Sequence, residues 1–302
     1  MMNTAIEIII PTTATLARKA SLLEAIDAVH SQQGVSATAI VVVNGSVYDQ
    51  ELYTQLQDRS DIRFHYESVG SLPNALRVGR TLVRAEYFGF LDDDDLLLEG
   101  ALAARLAEMA EADVVVGNGY IDSEGEQRLL RTSFRRCAGK PFGKLLSELL
   151  RLNWLASCGG LYRTRSIGVE FFTELPKYFE WTYVGFNLVY QQKRIRFVSR
   201  PTFHVRDSST SLSKEAGNPE ALVDFLKMLR NKPMHRSLRK ALTLKLGSAY
   251  HSLSEQALCS GSLATAMILH LKSLNCRENL KYLSYSARLL RTLFSRWQTL
   301  QG

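Results

Sequence analysis

Over its first hundred residues the chain alternates short unbroken apolar runs with stretches whose apolar positions recur at helical spacing. Ile6 to Ile10 is a β-branched run stopped by Pro11, and Leu16 to Val29 places Leu22, Ile26 and Val29 on one helical face. Ile40 to Val43 ends at Asn44-Gly45-Ser46, Ile62 to Tyr66 alternates as a third strand, and Pro73 to Arg84 reads as a helix. Tyr87 to Leu91 then runs straight into Asp92-Asp93-Asp94-Asp95. Strands and helices in alternation predict an α/β fold with a parallel sheet covered by helices, whose ligands bind beyond the carboxyl ends of the strands. Pro11-Thr12, Asn44-Gly45-Ser46 and the four aspartates all fall at such ends.

Further along, Leu98 to Ala110 reads as a helix, Asp113 to Val116 and Gly119 to Ile121 as strands, Asp122 to Gly125 as a turn, and Ile195 to Val198 as a last short strand. From Asn218 onward the pattern is helical throughout, with Gly217-Asn218-Pro219 at the boundary. Two domains are expected, residues 1–214 and 215–302. The length of 302 residues agrees at roughly 150 per domain.

Composition adds three points. With 46% hydrophobic and 22% charged residues the chain is globular. No apolar run reaches the roughly 18 residues of a membrane span and no signal sequence is readable, so a cytosolic protein is expected. Cys137, Cys158, Cys259 and Cys276 form no Cys-x-x-Cys pair, which excludes a readable zinc knuckle or dithiol motif and leaves free buried thiols. The charge is unevenly placed: residues 1–213 carry 23 Lys and Arg against 25 Asp and Glu, residues 214–302 carry 14 against 5. A near-neutral domain is followed by a basic element suited to an anionic partner.

Four consecutive aspartates after an apolar strand repel one another unless a cation neutralises them. Hard oxygen ligands select Mg²⁺, Mn²⁺ or Ca²⁺, with Mg²⁺ held by one or two carboxylates together with substrate phosphates. The competing explanation is a solvated loop whose first Asp caps a helix beginning near Leu97. The first glycine is Gly34, so the turn after the first strand holds neither a dinucleotide fingerprint nor a P-loop.

Ile8-Ile9-Ile10-Pro11-Thr12, Val41-Val42-Val43-Asn44-Gly45-Ser46, Ala75-Leu76-Arg77-Val78-Gly79 and Phe90-Leu91-Asp92-Asp93-Asp94-Asp95 stand in the order and spacing of the family 2 glycosyltransferases. The resemblance continues through Val114 to Asn118 and Cys158 to Arg163 as far as Ser211. It implies a GT-A fold with a C-terminal α-helical extension. It also implies inverting, metal-dependent transfer of a sugar from a nucleotide-sugar donor, a UDP-sugar by preference, to an acceptor hydroxyl. By the family pattern the nucleotide base meets Pro11, Thr12 and Asn44, Asp92 faces the ribose, and Asp94 holds Mn²⁺ or Mg²⁺ at the diphosphate. Asp93 is at a variable position and Asp95 opens the next helix.

The family's catalytic base follows a Gly-Gly loop and is often followed by Trp. Aligning Tyr178-Phe179-Glu180-Trp181 on the tryptophan gives Glu180, with Glu170 or Glu174 as alternatives. The chain departs from the pattern at Asn44, where an Asp is usual, and at Arg77, one place along its helix and about 100° around it. It departs again at Arg206, which stands where some members place a histidine; His204 as a metal ligand and Arg206 as a diphosphate contact both remain open. Trp154, Tyr162 and Trp181 form either a wall for a sugar face or part of the core.

In the tail, Leu246 to Tyr250 with Ala257, Leu258, Gly261, Ala264, Ala266 and Leu274 resembles one tetratricopeptide hairpin, too few repeats to bury a core alone. In Leu280 to Leu300, Lys281, Arg288, Arg291 and Arg296 share one face, Tyr282, Leu283, Leu289, Leu290, Leu293, Phe294, Trp297 and Leu300 the other, and no acid follows Asn279. That pattern suits either an anionic membrane surface on the inner face of the cell membrane or packing on protein. A glycan or lipid-linked acceptor accords with the first. Nucleic acid is not expected, for lack of a stacking platform or recognition module. Two other functions are weighed: a sugar-phosphate nucleotidyltransferase, which expects a Gly-rich loop after the first strand, and a non-catalytic partner that keeps the fold.

Overall fold

A computed structural model describes residues 4–123, 126–131, 139–206, 219–276 and 282–301, with side chains as far as 294. Cys137, the Glu124-Gly125 half of the expected turn, Ser211 and the expected boundary near residue 215 lie outside them. The chain forms two compact units, residues 1–140 with 152–211, and residues 141–151 with 212–302.

The first unit is built on β1 (Ala5–Thr12), β2 (Ser36–Asn44), β3 (Arg63–Glu67) and β4 (Tyr87–Phe90), which are parallel, with α1 (Lys19–His30), α2 (Gln50–Gln57) and α3 (Leu72–Leu82) between them. The unbroken apolar run of β1 has a physical cause: both faces are covered. Ile6, Ile8 and Ile10 share a core with Leu22, Ile26 and Val29 of α1. On the opposite face, Ile9 lies against Gly79 of α3, where an added Cβ would stand 2.3 Å from Ile9 Cγ2. The motif glycine therefore serves helix-to-sheet contact. Pro11 does not stop β1, which runs on to Thr12 in register with Val43. It is tolerated because β4 pairs with β1 only as far as Ile9↔Phe90.

Beyond β4 the sheet is mixed and not all parallel, contrary to the sequence pattern. The further elements are β5 (Leu96–Leu97), α4 (Ala101–Ala107), β6 (Val114–Ser123), β7 (Glu126–Leu129), α5 (Phe142–Leu152), β8 (Gly160–Arg163), α6 (Glu180–Tyr190) and β9 (Ile195–Val205). The strand order is β3-β2-β1-β4-β8-β6-β9-β5, with β7 beside β6. β8 runs antiparallel to β4 and β6, and among the described residues beyond β4 only β6 and β9 pair in parallel. The two short strands expected at 113–121 are one strand, and the one expected at 195–198 continues to Val205 through register shifts opposite Gly117 to Tyr120.

The second unit contains α5, α7 (Pro219–Arg230), α8 (Arg236–Cys259), α9 (Leu263–Asn275) and α10 (Leu283–Gln301). The sequence boundary did not anticipate α5. It meets α8 so closely that a Cβ at Gly143 would stand 2.7 Å from Ser237 Cβ. α8 and α9 form a pair of helices turned at Gly261 and tied by Ser254 Oγ–H to Ala266 O at 2.6 Å and Ser273 Oγ–H to Gly247 O at 2.7 Å. Tyr285 and Leu289 of α10 pack with Leu263 and Ala266 of α9, whereas Leu283, Leu290, Leu293 and Phe294 are exposed. Cys158 and Cys276 are buried thiols; Cys259 is exposed, so the expectation of buried thiols fails there. Among the described residues no helix is long and apolar enough to cross a membrane.

Candidate active site

The carboxyl ends of β1, β2 and β4 converge through hydrogen bonds. Thr12 is buried at the end of β1, and its Oγ1 donates to Asp93 Oδ2 at 2.6 Å while accepting from the Ala14 N–H at 2.9 Å. That turn forces Ala14 to φ +48°, a left-handed conformation unusual for a residue with a Cβ. Asn44 Nδ2 donates to the Thr12 carbonyl at 3.0 Å. Thr12, Asn44 and Asp93 are thus linked, with Pro11 buried beside them.

The aspartates span a tight turn in which the Asp95 N–H reaches the Asp92 carbonyl at 3.1 Å. Burial, aided by the charges of Asp94 and Asp93, pushes Asp92 up to about 6 despite a hydrogen bond from Ser157. Burial, then Asp92 and Asp94, push Asp95 up to about 8; it accepts the Arg206 N–H at 3.2 Å and the Cys158 Sγ–H at 3.4 Å. Asp93 is raised by burial, against the Thr12 hydrogen bond and the nearby Arg18.

The helix-cap explanation fails here, and so does the expectation that Asp95 opens a helix. Leu96 and Leu97 form β5, paired with His204 and Phe203, and α4 starts only at Ala101, with Gly100 at its N-cap and no side chain capping it. The carboxylates are gathered for another purpose.

A cation already lies on them. Arg18 ends the 3₁₀ turn Leu16–Arg18 that follows β1, and its Nη1 lies 3.0 Å from Asp93 Oδ1 and 2.6 Å from Asp94 Oδ2. Burial alone would lower the guanidinium pKa; Asp93, Asp94 and Asp92 raise it. Sequence reasoning missed Arg18, which has no motif and lies 75 residues from its first partner.

Glu180 begins α6, half-buried, and burial raises its pKa against hydrogen bonds from its own N–H and that of Tyr178. Tyr178, two residues earlier, is held at φ +70°. Trp181 sets its ring edge against Phe90 at 5.1 Å, which ties the start of α6 to the end of β4, two residues before Asp92. Glu170 and Glu174 are exposed. Trp154 and Tyr162 are buried against Phe197 and Phe88, so the aromatic-wall reading fails for both.

Three predicted site residues make their contacts elsewhere. His204 Nε2 lies 2.7 Å from Asp122 Oδ1, because β9 places His204 opposite Tyr120 in β6. Arg77 Nη2 donates to Asn74 Oδ1 within α3 at 2.8 Å. The Arg206 side chain pairs with Glu24 of α1 at 2.5 Å, and only its backbone reaches the cluster.

Among the described residues no group of three or more His, Cys, Asp or Glu is arranged to hold a metal ion. The donor set nevertheless fits a hard divalent ion held by one or two carboxylates, the rest of its shell coming from phosphate and water. Arg18 is a stand-in cation that marks Asp93 and Asp94 as the place for positive charge.

Among solved structures, S. aureus TarS 1–349 in complex with UDP-GlcNAc superimposes with a TM-score of 0.61 at 14% identity, over 94% of this chain and 92% of that one. The mannosyltransferase PcManGT from Pyrobaculum calidifontis, in complex with GDP-Man and Mn²⁺, gives 0.55 at 13% identity, over 96% and 86%. At such identities the likeness is one of fold, the GT-A fold with C-terminal helices. No curated protein sequence matches the chain. Residues 7–168, more than half of the chain and including the ends of β1, β2 and β4, match the family described as Glycosyl transferase family 2, and to that family the chain belongs.

Proposed function

We propose that this glycosyltransferase is an inverting enzyme that moves a sugar from a nucleoside-diphosphate sugar to a hydroxyl of a glycan or lipid-linked acceptor. The observation that carries the reading is the convergence of Thr12, Asn44 and the aspartate turn at three strand ends, with a buried carboxylate cluster that draws a cation. Thr12 and Asn44 receive the nucleotide base. Asn44 spends its Nδ2–H on the Thr12 carbonyl, which only accepts; this fixes the amide's orientation and leaves Oδ1 as the acceptor for an imide N–H. Uracil and guanine both carry such an N–H; the UDP-GlcNAc complex of TarS supports the uridine nucleotide of the two. Asp92 orients the ribose, and Asp94, with Asp93 beside it, would hold Mn²⁺ or Mg²⁺, which when bound neutralises charge on the leaving diphosphate.

Glu180 takes the proton of the acceptor hydroxyl. The oxygen attacks the anomeric carbon, the bond to the diphosphate oxygen breaks, and its electron pair leaves with the nucleotide. Burial keeps Glu180 a stronger base than a solvated glutamate. Its closeness to β4, through Trp181 and Phe90, supports that role. The exposed apolar and basic residues of α10 support a peripheral site on an anionic membrane, where a lipid-linked acceptor of surface-glycan synthesis resides.

The test is calorimetric titration with a panel of nucleoside diphosphates, each with and without Mn²⁺. Metal-dependent binding of UDP above the others is expected. No binding to the folded chain by any of them would favour a non-catalytic partner.

A further inference from the structure

Arg18 belongs to no motif that identified the family, yet its guanidinium lies 2.6 Å from Asp94 at the aspartate turn. It bridges Asp93 and Asp94 with one nitrogen. Its side chain remains about a quarter exposed, at 28%, and the turn that carries it exposes Leu16 at 68%. The base of that turn is fixed by the Thr12–Ala14 contact and by the Asp49 N–H to Ala14 O bond at 2.9 Å. Arg18 therefore sits on a lightly packed turn above a rigid anchor, over the carboxylates that a divalent ion would need.

We propose that Arg18 is an exchangeable counter-ion of the donor site. In the donor-free chain it occupies the oxygens of Asp93 and Asp94 and keeps a divalent ion off Asp94; when the donor binds, its guanidinium transfers to the diphosphate and the ion enters. The inference rests on the reading of this site as a nucleoside-diphosphate site. Its physical basis is competition. A guanidinium and a divalent ion cannot share the same carboxylate oxygens, whereas a diphosphate offers the guanidinium a second set of anionic oxygens in a bidentate geometry. Metal and donor then bind with positive coupling, each assisting the other by the same factor.

The experiment measures Mn²⁺ binding to the full chain by the electron paramagnetic resonance of the free ion, without nucleotide, with uridine and with UDP. The native chain is expected to bind Mn²⁺ weakly alone or with uridine, and about tenfold or more tightly with UDP. Arg18→Gln is expected to bind Mn²⁺ about tenfold more tightly than the native chain without nucleotide, and to bind UDP more weakly in the presence of Mn²⁺. Arg18→Lys keeps the charge and is expected to stay close to native in the nucleotide-free arm. Equal nucleotide-free Mn²⁺ binding by native chain and Arg18→Gln, including none by either, would overturn the proposal. So would native Mn²⁺ affinity that rises as much with uridine as with UDP, an arm that needs no variant to fold. If UDP fails to bind the native chain at any Mn²⁺ concentration, the donor reading falls and the transfer step with it, whereas the nucleotide-free comparison fails or holds by itself.

Discussion

At the residue scale, the roles proposed for Glu180 and the aspartates differ by what their surroundings do to a proton. A general base acts only when ionised, and burial raises the pKa of Glu180 from its ordinary value. Transfer should therefore fall as the pH drops through that raised value, with the acid limb of kcat/KM lying at higher pH than a solvated glutamate would give; a pH–rate profile reads this directly. Glu180→Gln is expected to keep donor affinity while kcat falls by about 10²–10⁴-fold. Substantial residual turnover would redirect attention to Glu170 or Glu174. Asp94→Ala should remove the Mn²⁺ dependence of UDP binding in the calorimeter, and retained dependence would take Asp94 out of that role. Thr12, Asn44 and Asp92 to Asp95 could be recognised in the sequence because each ends a strand whose apolar pattern is strong. Arg18 could not, since its partners are neighbours only after folding, and neither could the Asp122 partner of His204, which follows from strand register.

At the scale of elements, the contact between α3 and β1 gives a test away from chemistry. Gly79→Ala would drive a methyl group into Ile9, a buried β-branched side chain with little room to move. The expected cost is about 1–3 kcal/mol of stability, seen as a lower urea midpoint. The first four strands, with α1 and α3, were legible because short apolar runs give way to apolar positions at helical spacing between them; α2 was not read, since its eight residues bury only Leu52 and Leu56. The strands after β4 were less so. β5 is two residues long, β8 four, and β9 passes through irregular register near Pro201, so none leaves a long periodic trace. The expected helix at Leu98 likewise begins late, because Leu96 and Leu97 find partners in β9.

At the scale of the whole molecule, near-neutral residues 1–213 are followed by the basic residues 214–302, which hold α7 to α10. That asymmetry could be read by counting charges, but the recruitment of α5 by α8 could not, because it depends on close packing at Gly143. On α10, Leu290 at 48% and Phe294 at 62% exposure lie outside the packed contact with α9. Replacing both with Ser should weaken binding to vesicles containing anionic lipid, with UDP affinity unchanged, in a co-sedimentation assay. If the intact chain does not sediment with such vesicles, the membrane reading fails.

The aspartate turn is fastened at both ends. Before it, the Leu91 N–H is held by the Ile9 carbonyl at 3.0 Å; after it, Leu96 and Leu97 are stitched to β9. A charged loop on a free tether would relieve its repulsion by opening, but this one cannot, so the relief comes from protons, from Arg18 and, on the proposed reading, from a bound cation. On the proposed donor reading, a loop fixed in this way would spare the arriving nucleotide any rearrangement, and the pairing of β5 with β9 that secures its second end would contribute to affinity without touching the ligand. Phe203, in the strand that secures the second end, is fully buried, so Phe203→Ala should both loosen that fastening and lower the urea midpoint of the whole unit.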